Sequence, residues 1–236
     1  MAFSITLKPV DGRNLPFAMA GVVAATVFAA AAQPFVPFGG EIASGSLRAS
    51  ALFAMGVCGI FASAQAGLQC WVDDWARTWR AALASALGVA IFVIVLDCFV
   101  FRKTLAPSYV TLLQEPLGPR LCYYAIRAYT ENIVYRLFAM PLLVLAFGAI
   151  WRKPDGSPSN GAFWVAIVLA QVINIVWNAV LLEPVTPFVL GYDALRYVAP
   201  GCVWGYLFWR YGFATAEIGH VATHLFLQPA FNIWLQ

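Results

Sequence analysis

Two triplets of polar residues in this chain share one spacing. Gln171, Asn174 and Asn178 fall at i, i+3 and i+7, and Glu217, His220 and His224 repeat that interval. On an α-helix each triplet makes one stripe on one face. A third group holds the i,i+4 pairs Arg127/Glu131 and Asn132/Arg136. Glu131 and Arg136 are five apart, so α-helical geometry points them in different directions. These residue types define the chemistry on offer. A carboxylate such as Glu131 takes a proton from water, an imidazole polarises a carbonyl, and an amide orients water without accepting its proton. His220 and His224 at i,i+4 can both reach one zinc-like ion, with Glu217 or Glu131 as oxygen ligand. Neither an HExxH nor a paired ExxH motif is present, however. A haem clamped between the two histidines is excluded, because both lie on one face of one helix; a single histidine can still ligate a pigment or haem.

The elements that must carry these stripes are apolar. The 236 residues are 62% hydrophobic and 11% charged, with a mean hydropathy of +0.77. A soluble domain carries roughly twice that charged fraction. Lipid is therefore the expected solvent for much of the chain. The net charge of +3 is small and scattered, which excludes nucleic acid as a partner. Five widely spread cysteines form no CxxC pair and read as small apolar packing residues.

Seven stretches are long and apolar enough to be candidate spans: 15–35, 49–67, 81–101, 122–150, 161–182, 195–210 and 214–234. Between them lie an interfacial Trp/Arg segment at 71–80, a proline-broken stretch at 104–121 and a turn at 153–160. Lys8 and Arg13 before the first apolar run resemble a signal peptide, but the run reads as the first membrane helix. Cations at Lys8, Arg13, Arg77, Arg80, Arg152, Lys153 and Arg210 fall inside if the N-terminus is cytoplasmic. Arg102, Lys103 and Arg120 then fall outside.

The expected fold is all-α, a multi-pass transmembrane bundle of about seven helices forming a single domain over 1–236. Ionisable groups inside membrane helices are costly and mark sites. The fourth, fifth and seventh spans should turn their polar stripes toward one another and enclose a buried Glu/His/Asn site. Interhelical hydrogen bonding is the plainer role for Gln171 and Asn174. Asp97, beside Arg102 and Lys103, reads as an interfacial charge.

The segment from Glu131 through Arg136 to Leu143 (ENIVYRLFAMPLL) resembles the EExxxR motif of the CAAX-protease and bacteriocin-processing (CPBP, Abi) intramembrane glutamic endopeptidases. Residues 211–224 (YGFATAEIGHVATH) look like that family's last motif, HxxxN or HxxxD. The resemblance covers roughly 80–230 and makes the helices within 15–67 additional. It implies that Glu131 activates a water, that Arg136 holds the motif in place, and that His220 and His224 polarise the scissile carbonyl. The chain departs from the pattern in three places. Asn132 stands for the second Glu, Asn178 for the histidine of the middle motif, and His224 for the last Asn or Asp. Asn178 can orient water but cannot share general-base work.

The expected site is thus Glu131, His220, His224 and Asn178, supported by Arg136, Asn132 and Glu217, with no cofactor and no metal. Two functions compete. One is a metal-independent intramembrane endopeptidase acting on a membrane peptide. The other is a non-catalytic structural or assembly subunit packed against other membrane proteins. Membrane lipids are partners in either case, and the expected location is the bacterial inner (cytoplasmic) membrane.

Overall fold

The computed structural model describes residues 19–24, 26, 27, 45–179 and 186–235. Among them every regular element is helical and no strand is present. A short helical stretch, α1 (19–24), precedes α2 (Gly45–Ala66) and α3 (Trp75–Val95). Next come α4 (Pro107–Gln114), α5 (Leu117–Glu131), α6 (Met140–Gly148) and α7 (Asn160–Ala179). The last elements are α8 (Pro187–Asp193), α9 (Ala199–Tyr211) and α10 (Phe213–Trp234). Three helices are long and apolar enough to cross a membrane: Ala49–Ala66, Trp75–Val100 and Leu117–Gly148, with mean hydropathies of 1.5, 2.6 and 1.4. The apolar helix Asn160–Val176 is shorter.

Local chemistry explains most boundaries. The Asp74 carboxylate caps α3 by accepting from the Arg77 N–H at 2.9 Å. Helix thus begins at Trp75, inside the tryptophan segment expected to lie at the interface. Thr186 caps α8 in the same way, with Pro187 preset for the first turn. Helix then runs on from Pro187 to Tyr211, so the span expected to start at 195 begins a turn or two earlier. Stretch 104–121 holds α4 and the start of α5, with Pro119 tolerated in that helix's first turn. The expected turn at 153–160 is present. There Asp155 Oδ1 accepts from the Ser157 amide at 2.9 Å and its hydroxyl at 2.6 Å, which holds the Asp155 carboxyl below the usual range. Of the first expected span, 15–35, residues outside 19–24, 26 and 27 lie outside the described residues.

Three π-helical stretches interrupt the helices, and two of them precede a proline. They cover Leu96–Val100, Asn132–Ala139 and Ala194–Val198. Each closes with an i→i+5 bond: Phe101 N–H to Leu96 O, Met140 N–H to Tyr135 O, and Ala199 N–H to Ala194 O. Pro141 and Pro200 lie just beyond the second and third. Neither has an N–H to continue the i→i−4 ladder, so the carbonyls of Leu137 and Arg196 lose their α-helical donors.

Small residues let the helices meet closely. Ala82, Ala86 and Ala90 of α3 are buried, as are Ala216, Gly219 and Ala222 of α10, and these two helices pack along their lengths. Helix α2 lies on the 132–139 stretch, where Gly59 approaches the Leu137 carbonyl. Gly212, at φ 97°, ends α9 in a conformation that favours glycine. The next amide, Phe213 N–H, donates to Gln69 O at 2.9 Å and ties the α2–α3 connector to the start of α10.

Candidate functional site

Polar residues from the fourth, fifth and seventh expected spans border one cavity of about 520 Å3. Glu131, the last residue of α5, and Arg136 of the π stretch border it. So do Asn174 of α7 and both His220 and His224 of α10. Glu131 and Arg136 therefore serve one site, contrary to the expectation from α-helical spacing. The backbone explains the difference. With bonds running i→i+5, residues five apart stack one above the other, and Arg136 swings round toward the face of Glu131.

Each charged group is held differently. Glu131 Oε1 accepts from Arg127 Nε at 2.8 Å, a partly exposed i,i+4 pair. Arg136 is only 2% exposed, and its Nη2 donates to Gln171 Oε1 at 2.9 Å. Its Nε and Nη1 have no hydrogen-bond partner among the described residues. Gln171 has the interhelical bonding role expected for it. That bond depends on Gly201: a Cβ there would stand 2.1 Å from Gln171 Oε1. Gly201→Ala should displace the Gln171 amide and leave a buried guanidinium without its acceptor, a loss of about 1–3 kcal/mol. Denaturant titration in detergent measures it, and Gln171→Leu should cost a similar amount.

The histidines lie in a line of rings. Tyr124 stacks on His224 with centroids 4.7 Å apart and planes at 17°. His224 and His220 are 5.5 Å apart, and Trp204 stacks on His220 at 5.5 Å and 16°. Asn132 does not border the cavity but touches the site from behind, with Oδ1 3.2 Å from His220 Nδ1. Glu217 is buried and borders a separate cavity of about 240 Å3, beside Trp71, Trp75 and Tyr129. The Asn178 side chain lies outside the described residues. Among the described residues no three of His, Cys, Asp and Glu converge as metal ligands would.

The far wall was not anticipated. Asp97, expected as an interfacial charge, is fully enclosed by protein: it is 0% exposed and accepts from Arg196 Nε, Tyr109 Oη and Tyr192 Oη, each at 3.0 Å. Tyr109, Tyr192 and Arg196 all border the large cavity. Asp97 and Arg196 each sit in a π stretch, as Arg136 does, so all three turn a buried charge inward. Arg120 is likewise buried rather than set in a loop. Its Nη2 donates to Gln228 O at 2.9 Å and to Asn232 Oδ1, and Nη1 to Leu113 O, fastening α4 and α5 to the last turns of α10. One signal for Asp97 was available: it is a lone carboxylate within the most apolar span of the chain.

No family model, no curated protein and no solved structure matches this chain.

Proposed function

We propose that this protein is a multi-pass membrane protein of the bacterial inner membrane and a divergent relative of the CPBP (Abi) intramembrane endopeptidases. Its large cavity hydrolyses an amide bond of a membrane-embedded peptide. The observation that carries this reading is the gathering of Glu131, Arg136, His220 and His224 on one cavity, from elements far apart in the chain. Water held there meets a carboxylate and two imidazoles within an otherwise apolar bundle. Among them they can accept a proton from water and polarise a carbonyl. Asn174 contributes an amide at the same wall, which can orient water or substrate. Seven spans, counting those beyond the three long apolar helices, complete the bundle in this reading.

A second reading has its own observation. The Glu131–Arg127 ion pair occupies one oxygen of the carboxylate that a general base would use. In that case the chain is a non-catalytic subunit packed against other membrane proteins. Incubation of the purified chain with membrane peptides in lipid vesicles separates the two. Under the hydrolytic reading the protein cleaves, and Glu131→Gln lowers the rate by about 10²–10⁴-fold. Equal rates in both proteins would overturn it, and so would isolation only as a stoichiometric member of a larger assembly without cleavage.

A further inference from the structure

Three guanidinium groups border the large cavity, and two of them are held by a carboxylate. Arg127 Nε donates to Glu131 Oε1 at 2.8 Å, and Arg196 Nε to Asp97 Oδ2 at 3.0 Å. Arg136 differs. Its Nη2 donates to Gln171 Oε1, a neutral acceptor, and no carboxylate among the described residues stands at ion-pair distance from it. Asp193 borders the cavity from the end of α8 and Glu217 borders the smaller one, and neither pairs with Arg136. Arg136 Nε and Nη1 have no hydrogen-bond partner among the described residues, and the residue is 2% exposed.

Arginine keeps its charge at any ordinary pH, so the wall cannot shed this cation by losing a proton. A buried charge with one neutral acceptor is costly, and an anion placed beside it offsets that cost. Charge-assisted bonds from a guanidinium to carboxylate or phosphate oxygens are the strong ones. Asn174, one turn beyond Gln171 on α7, brings to the same wall an amide that can donate a further N–H. Away from these groups the lining turns apolar, with Val89 and Val93 of α3, Leu112 of α4, Ile175 of α7 and Leu227 of α10. The volume of about 520 Å3 suits a headgroup and the first part of a chain. An occupant that matches both parts is anionic at one end and apolar at the other.

We propose that the large cavity binds a membrane amphiphile by its anionic end, with a carboxylate or phosphate oxygen accepting from the Arg136 guanidinium. The apolar part lies along Val89, Val93 and Leu227. This site does not rest on the hydrolytic reading above. Where both hold, the amphiphile takes the place of the peptide in the cavity and slows its cleavage.

Thermal unfolding of the purified full chain in a neutral detergent tests this, with oleate and oleoyl lysophosphatidate as probes. Monoolein supplies the same chain without the charge; acetate and inorganic phosphate supply the charge without the chain. Oleate, lysophosphatidate or both should raise the unfolding midpoint by about 5 °C near saturation. The stronger of the two names the anion. Monoolein and the small anions should shift the midpoint far less. Arg136→Met/Gln171→Leu removes the cation and its acceptor together, so it should fold without a ligand and lose the oleate shift. Arg136→Lys keeps the charge and should retain part of it. Equal shifts from oleate and monoolein, or an oleate shift unchanged in the double variant, would overturn the proposal. So would acetate or phosphate acting as strongly as the amphiphiles, which would mean a small-anion site only. The oleate and monoolein comparison on the wild-type protein decides the matter even if the variants do not fold. An oleate shift in a protein that cleaves nothing would count against hydrolysis and leave the anion site standing.

Discussion

Asp97→Leu should destabilise the protein by about 3–5 kcal/mol, the usual cost of removing one partner from a buried ion pair. Asp97 is fully enclosed and receives three donors, from Arg196, Tyr109 and Tyr192. Its loss leaves the Arg196 guanidinium buried and uncompensated, and two tyrosine hydroxyls without their acceptor. Asp97→Asn keeps the volume and one acceptor oxygen, so it should cost less. The double variant Asp97→Leu/Arg196→Met should recover most of the loss, because no lone charge then remains in the wall. Unfolding titrations of the four proteins in one detergent measure both effects. Similar stabilities for Asp97→Leu and the double variant would show that the pair is not the energetic link between α3 and the α8–α9 helix.

The second large effect belongs to Gly59. A Cβ built there stands 2.4 Å from the Leu137 carbonyl oxygen and 2.7 Å from its carbon. Those are backbone atoms and cannot turn aside as a side chain can. The close approach falls where Pro141 has left that carbonyl without an α-helical donor. A Cα–H group can rest against it, and nothing larger fits. Gly59→Val should therefore force α2 away from the 132–139 stretch, with a loss of about 3 kcal/mol or more. Gly88→Ala is the control. Its added methyl meets nothing within 4 Å, so it should be neutral or stabilising by up to about 1 kcal/mol. Because α2 backs the stretch that carries Asn132 and Arg136, Gly59→Val should also disturb the cavity, and Gly88→Ala should not.

How far the sequence could be read follows from one assumption about periodicity. His220 and His224 obey 3.6-residue spacing on α10, and their shared face on the cavity was legible for that reason, whereas Glu217, expected on the same face, borders a separate cavity. So was the turn around Asp155, whose Pro, Asp, Gly and Ser residues have few other uses. The π stretches broke the assumption. One extra residue per turn put Arg136 on the face of Glu131, although their spacing argued against it. It also drew Asp97 inward, although Arg102 and Lys103 nearby made it look interfacial. Arg196 escaped notice because its partner, Asp97, lies 99 positions away. The one local clue was proline. Pro141 and Pro200 each follow a π stretch closely, and an intramembrane charge a few residues before a proline was the pattern to look for.

The central claim is that polar side chains from separate helices enclose a wet cavity within the membrane. Cysteine accessibility tests it most directly, in a background without the five native cysteines. Asn174 borders the cavity, whereas Val172, on the same helix, is an exposed apolar residue on its outer surface. In lipid vesicles, Asn174→Cys should react with a small charged thiol reagent, and Val172→Cys should be far slower. A silent cysteine at 174, or equal rates at the two positions, would contradict the account.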